Sequence, residues 1–193
     1  MRILGALFDL DGTLLDTEPL YDEAEQKIIN LYGNGKPIEP SVKQQLLGTP
    51  PSLNCKLLID KYEVKLTPDE FEKMRDELLI EPFRNCKFKK GAKEVVHKCK
   101  YDLGLKSAIA TGSSRFNFDN KFYNLKEWVN EHIDVVITSD NIKRGKPNPD
   151  IFILAAQELG LKPSECIVFE DGLPGVKAAI NAGVRIIVHC GDY

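Results

Sequence analysis

An apolar run that ends abruptly in acidic residues constrains this chain more than any other feature. Residues 3–8 are Ile-Leu-Gly-Ala-Leu-Phe, a composition suited to a strand buried on both faces of a parallel sheet. Asp9 and Asp11 follow at once, and Gly12 lets the backbone turn. Two carboxylates at i and i+2, just past the carboxyl end of a buried strand, stand where open α/β sheets collect ligands. Held that close they repel unless a proton or a cation lies between them. Mg2+, which prefers oxygen ligands and keeps waters for a phosphate-bearing substrate, would resolve the conflict. A solvated Asp-Gly turn accounts for the same letters, and this stretch alone does not choose.

The remaining chain divides by texture. Residues 17–31 read as a helix, with Asp16 or Thr17 as cap, Glu18 in the first turn and Pro19 at an early position. Gly33, Gly35, Pro37 and Pro40 interrupt it, and helical pieces are expected over 42–47 and 53–62, separated by Gly48-Thr49-Pro50-Pro51. Thr67-Pro68-Asp69-Glu70 carries a capping box and opens a helix to about residue 81. Beyond residue 87, helices over 91–101, 115–132, 150–159 and 174–182 alternate with strands over 105–110, 135–138, 167–169 and 184–188. Such alternation argues for a parallel, doubly wound sheet interrupted by a helical insertion.

Three further stretches can carry chemistry. Thr111, Gly112 and Ser113 follow the strand at 105–110, where a hydroxyl and free N–H groups can hold phosphate oxygens; the same triplet is a common turn. Lys146 sits in a loop stiffened by Gly145, Pro147 and Pro149, either presented for a purpose or incidental to a rigid turn. Glu170-Asp171-Gly172 repeats the opening pattern at another strand end. Here Asp171 would complete a metal's oxygen shell with Glu170 nearby or acting through water, unless this too is a solvated turn. Lys143 and Arg144 are expected to be exposed loop charges, and Asp150 and Asn181 to serve ordinary helix surfaces or caps.

Phe8-Asp9-Leu10-Asp11-Gly12-Thr13-Leu14-Leu15-Asp16-Thr17-Glu18 resembles the first motif of the haloacid dehalogenase superfamily, in its phosphatase and phosphomutase branch. The resemblance implies a Rossmann-like core, residues 1–16 plus 88–193, carrying an inserted α-helical cap domain, residues 17–87. It implies that Asp9 attacks phosphorus and becomes an aspartyl phosphate, while Asp11 protonates the leaving oxygen and later activates water. It assigns the second motif's hydroxyl to Thr111, with contacts from Gly112 and Ser113. Lys146 becomes a point charge on both phosphate and nucleophile. Mg2+ would be held by Asp9, Asp11, Asp171 and Glu170. Family members of this type continue past the last strand seen here, so the ending Gly191-Asp192-Tyr193 is expected to reflect a truncation.

The expected reaction is Mg2+-dependent hydrolysis of a small phosphomonoester. A dehalogenase would need neither a metal nor a second acid at position 11. A sugar phosphomutase of the β-phosphoglucomutase type is the alternative. Those enzymes carry a basic residue where this chain has Gly48-Thr49-Pro50-Pro51, and a histidine where it has Tyr21. A non-catalytic relative is the third reading, although every expected catalytic position is filled. Residues 15–21 together with 145–152 are similar to the pseudouridine-5'-phosphatase and plant FMN or glycerol-3-phosphate phosphatase group, which points to a nucleotide-like, polyol or sugar monophosphate. The net charge of −3 gives no electrostatic case for nucleic acid or anionic membrane. Five scattered cysteines without zinc-site spacing read as reduced thiols. With no signal peptide and no apolar span, a cytoplasmic monomer is expected.

Overall fold

The computed structural model describes residues 2–46 and 51–190. Five parallel strands form one sheet: β1 (Gly5–Phe8), β2 (Lys106–Ala110), β3 (Val135–Ile137), β4 (Cys166–Glu170) and β5 (Ile186–His189), in the order β3-β2-β1-β4-β5. β1 is central, with Phe8 in register with Ile109 on one side and Phe169 on the other. The opening apolar run is continuous because both of its faces are covered. Ala6 and Phe8 join Ile109, Val96, Phe118 and Val129 on one side of the sheet. Leu7 joins Ala108, Val168, Phe152 and Ala178 on the other. Phe8 is fully buried and stacks on Phe169 with ring centroids 4.9 Å apart, a burial that stabilises by about 1.5–3 kcal/mol.

The first face is covered by α5 (Ala92–His97), which runs into a π-helical turn over Lys98–Asp102, with α6 (Arg115–Lys121) and α7 (Lys126–His132). The second is covered by α8 (Asp150–Glu158) and α9 (Leu173–Asn181). The single helix expected over 115–132 is therefore two. Breaking it lets Phe118, Phe122 and Val129 all reach one cluster, while Asn124 in the break donates from Nδ2 to the Arg84 carbonyl at 2.9 Å.

Among the described residues, four helices lie between β1 and α5: α1 (Glu18–Tyr32), α2 (Pro40–Leu46), α3 (Pro51–Tyr62) and α4 (Pro68–Arg84). They enclose their own apolar cluster of Ile28, Leu58, Tyr62 and Phe71, with a smaller one of Ala24, Leu79 and Phe83. The capping box at α4 is present: Thr67 Oγ1 accepts from the Glu70 N–H at 3.3 Å, and Glu70 Oε2 accepts from the Thr67 N–H at 2.8 Å. The helix passes through Pro82 to end at Arg84, three residues beyond the expected stop. Thr17 stands at the expected cap position but makes no side-chain cap bond; its hydroxyl donates to Asp11 Oδ1 at 2.6 Å. Residues 48–50 of the expected break and the final Gly191-Asp192-Tyr193 lie outside the described residues. The chain's passages into and out of this block run side by side. The Asp16 N–H donates to the Lys87 carbonyl at 2.9 Å, and Leu15 bridges antiparallel to Phe88.

Candidate active site

The sheet order reverses at the junction of β1 and β4, and the acidic residues of both strand ends meet there. The Asp9 N–H donates to the Phe169 carbonyl at 2.9 Å, which fixes Asp9 against the end of β4. Its buried carboxylate accepts from Lys146 Nζ at 2.5 Å, and Lys146 also donates to Glu170 Oε2 at 2.7 Å. Glu170 Oε1 accepts from the Gly172 N–H at 3.1 Å. Gly175 of α9 is packed so tightly here that a Cβ would stand 2.0 Å from the Glu170 carboxylate. Asp171 Oδ1 accepts from the Thr13 hydroxyl at 2.9 Å. Gly12 turns at φ +79°, and a side chain there would come within 2.2 Å of Asp171 Oδ2. Two glycines thus make room for two acids. Behind the Lys146 loop, Asn181 donates from Nδ2 to the Pro147 carbonyl at 3.1 Å, a more specific use than a generic helix surface.

Asp9, Glu170 and Asp171 each offer an oxygen, all within 4.8 Å of one another. Burial, then the Glu170 charge, pushes Asp9 up to about 7 against the pull of Lys146. Burial and the Asp9 charge push Asp171 up to about 6. Lys146 is buried too, yet the Asp9 and Glu170 charges raise its pKa and keep it an ammonium. Three carboxylates facing one lysine leave negative charge uncompensated. An all-oxygen set in that condition fits a hard divalent cation.

Asp11 has different surroundings. Its carboxylate accepts from Lys121 Nζ at 2.5 Å, Thr17 Oγ1 at 2.6 Å and Ser113 Oγ at 2.7 Å. Burial alone would raise its pKa, but the Lys121 charge and these hydrogen bonds hold it below the ordinary value. The structure thus puts the Asp11 side chain with Lys121, beside the trio of Asp9, Glu170 and Asp171.

Lys121 is absent from the sequence expectations. It is fully enclosed, and its ammonium also donates to Ser113 Oγ at 2.7 Å and Tyr21 Oη at 3.2 Å, 4.5 Å from the Phe83 ring centroid. The one available signal is a lysine beside Phe118 and Phe122 on the apolar stripe of α6. Thr111 is completely buried, and its hydroxyl accepts from the Ser113 N–H at 3.0 Å. It shapes the turn from behind, whereas Gly112 and Ser113 themselves line the cavity above Asp9.

That cavity measures 540 Å³. Asp9, Asp11 and Lys146 lie on the sheet side of its wall, and Tyr21, Glu25 and Arg75 on the side of α1 and α4. Lys143 is exposed, as expected, and also lines the cavity. Arg144 pairs with Asp150 at 2.7 Å, away from the chemistry.

The sequence matches the family described as haloacid dehalogenase-like hydrolase over residues 6–189. A Saccharomyces cerevisiae protein named "Probable pseudouridine-5'-phosphatase" is 34% identical over 97% of this chain and 82% of its own length. A phosphorylated carbohydrates phosphatase of Thermotoga maritima is 32% identical over 95% of this chain and 83% of its own. Among solved structures, CbbY from Rhodobacter sphaeroides in complex with phosphate superposes with a TM-score of 0.80 at 25% identity, covering 97% of this chain and 87% of that one.

Proposed function

The chain belongs to the haloacid dehalogenase-like hydrolase family, and on that premise we propose that it hydrolyses a small phosphomonoester by a Mg2+-dependent route through an aspartyl phosphate on Asp9. Its relatives are phosphatases by name, and it is a phosphoric monoester hydrolase. The observation that carries the mechanism is Asp9 itself: a buried carboxylate at the sheet's switch point, 2.5 Å from the Lys146 ammonium.

Asp9 attacks phosphorus as the bond to the leaving oxygen breaks, dividing one hard displacement into two easier ones. Lys146 orients the nucleophile and offsets charge on the phosphoryl oxygens. The Gly112 N–H is placed to hold those oxygens, while the Ser113 N–H is spent on the Thr111 hydroxyl, which keeps the turn in shape. Asp11, kept a carboxylate by Lys121, is suited to take the proton of the water that attacks the phosphorylated Asp9. In the first half it must give a proton to the leaving oxygen. The arriving phosphate dianion favours its protonation at that moment by like-charge repulsion. Mg2+ bound by Asp9, Glu170 and Asp171 would neutralise charge on the phosphoryl group. The block over residues 17–87 acts as a cap supplying the leaving-group wall, with residues 1–16 and 88–193 as core; the separate apolar clusters support that division. Pseudouridine 5'-phosphate, a polyol phosphate and a sugar phosphate are the candidate substrates, after the names of the relatives.

No helix among the described residues is long and apolar enough to cross a membrane, and Cys55, Cys86, Cys99, Cys166 and Cys190 are free thiols. A monomer working in the cytoplasm on small molecules is part of the same proposal. The test is phosphate release from a panel of monophosphates, with and without Mg2+, beside Asp9→Asn. Metal-dependent release that falls by about 10³-fold or more in the variant is expected. Release that survives Asp9→Asn would refute the covalent route, and isomerised sugar phosphate with little free phosphate would indicate a mutase.

A further inference from the structure

The wall of the cavity opposite the chemistry holds a buried cation whose hydrogen bonding is incomplete. Arg75 of α4 is 4% exposed and lines the cavity. Its Nε, fully enclosed, has no hydrogen-bond partner among the described residues. Its Nη atoms reach Asp76 at 3.2 Å and Cys55 Sγ at 3.6 Å, an ordinary length for sulfur, while Glu72 at 3.5 Å and Glu25 at 3.9 Å stand beyond good hydrogen-bond length. A guanidinium has five donors in a rigid fork, and a buried donor left unmade is costly. Glu25 of α1 is 5% exposed, lines the same wall, and meets Arg75 only at that 3.9 Å distance. Two buried, facing polar groups are thus held apart within a cavity, each with capacity to spare.

We propose that Arg75 and Glu25 form the leaving-group subsite, and that they select a phosphomonoester whose leaving group is uncharged and sets a hydrogen-bond acceptor beside a donor. The proposal rests on the phosphatase reading and narrows its substrate class. The acceptor meets the Arg75 fork and the donor meets the Glu25 carboxyl group. The C=O/N–H edge of a pyrimidine-type base has this chemistry, and so do the adjacent hydroxyls of a polyol.

Charge around the wall argues for a neutral group. Among the described residues lining the side formed by α1 to α4, Asp22, Glu25 and Glu72 are acidic and Lys43 and Arg75 basic, apart from Glu18 nearer the chemistry. Lys43 is paired with Asp22, and Arg75 is flanked by Glu72 and Asp76. A second phosphate or a carboxylate would meet no surplus cation on that side; Lys143, the other cation of the lining besides Lys146, stands on the loop that carries Lys146. The subsite is also joined to the reacting centre. The Arg75 guanidinium lies 5.6 Å from the centroid of the Tyr21 ring, whose hydroxyl accepts from the Lys121 that holds Asp11.

The experiment measures kcat/KM for the full chain, for Arg75→Met and for Glu25→Leu with Glu25→Gln as the conservative partner. The substrates are uridine-type 5'-monophosphates, glycerol 3-phosphate, phosphoglycolate as the carboxylate-bearing arm, and acetyl phosphate, whose small leaving group is too short to reach this wall. The wild type is expected to prefer a neutral polar leaving group over phosphoglycolate by about 10-fold or more. In Arg75→Met, the ratio of kcat/KM on the preferred substrate to that on acetyl phosphate should fall by about 10- to 100-fold. Glu25→Leu should lower the same ratio, and Glu25→Gln should restore most of it. If Arg75→Met does not fold, the Glu25 pair carries the same discrimination. Preference between the uridine and glycerol arms tells which leaving group the subsite takes. Proportional loss on both substrates, no change in the ratio, or a wild-type preference for phosphoglycolate would overturn the proposal. A folded wild type silent on every compound would overturn the phosphatase reading and the subsite with it.

Discussion

Replacing Lys121 by methionine keeps an unbranched side chain of similar volume and removes the charge together with its hydrogen bonds to Asp11, Ser113 and Tyr21. What it leaves behind is Asp11, whose side chain is 26% exposed and keeps two hydroxyl donors, Thr17 and Ser113. Breaking one side of a buried ion pair costs about 3–5 kcal/mol, and the partial exposure of Asp11 puts this case at the lower end, about 3 kcal/mol. For a chain of 193 residues, that corresponds to a drop in Tm of about 6–12 °C. The decisive comparison is the double variant Asp11→Asn/Lys121→Met, which buries an amide beside a thioether rather than an unpaired charge. It should recover about 2 kcal/mol relative to the sum of the two single variants. Urea unfolding of the four proteins in buffer free of divalent cations measures this coupling. A cost below about 1 kcal/mol for Lys121→Met, or simple additivity in the double variant, would refute the view that Lys121 is present to balance Asp11.

Gly175→Ala should cost about 1–3 kcal/mol by overpacking, because the new methyl would stand 2.0 Å from the Glu170 carboxylate. Glu170 must swing away and leave Lys146 with one carboxylate, so a thermal melt indistinguishable from wild type would contradict the packing described. Stability should also respond to pH through Glu25, whose carboxyl burial raises from 4.5 to about 7 despite Arg75, with Asp22 raising it further and Lys43 opposing. A raised folded-state pKa contributes stability that is complete below 4.5 and lost as pH climbs through about 7. The term amounts to about 3 kcal/mol. Glu25→Gln should therefore gain on the wild type between pH 5 and 8, and parallel stability curves across that range would refute the assignment.

Local patterns are legible in this chain wherever local chemistry decides the outcome. The run into Asp9 and the run into Glu170-Asp171 each read as a buried strand followed by acids, and the central pairing of β1 with β4 brings them together. The Thr67–Glu70 box is complete within four residues and can be read without knowing the fold. Lys121 is different. Its burial is tolerable only because Asp11, Ser113 and Tyr21 converge on it from three separate segments, and no window along the chain contains that information. Thr17 shows the same competition on a smaller scale. As a helix cap it is a sound expectation, but its side chain is oriented to donate to the charged Asp11 carboxylate and makes no cap bond. The break between α6 and α7 likewise answers to the shared cluster of Phe118, Phe122 and Val129 rather than to the asparagines around it.

The paired passages at Asp16 and Lys87 have a mechanical meaning. Two chain segments leaving one body at adjacent points, tied to each other by the hydrogen bond between them, resist sliding and twisting far better than they resist bending. The helices over residues 18–84 are thus joined to the core through two passages that are tied to each other. Close to those passages, the Lys121–Tyr21 and Asn124–Arg84 hydrogen bonds fasten the first and last of these helices to the core. The lysine that balances Asp11 is thus also part of the fastening, so the seating of these helices on the core and the charge environment of Asp11 share one side chain.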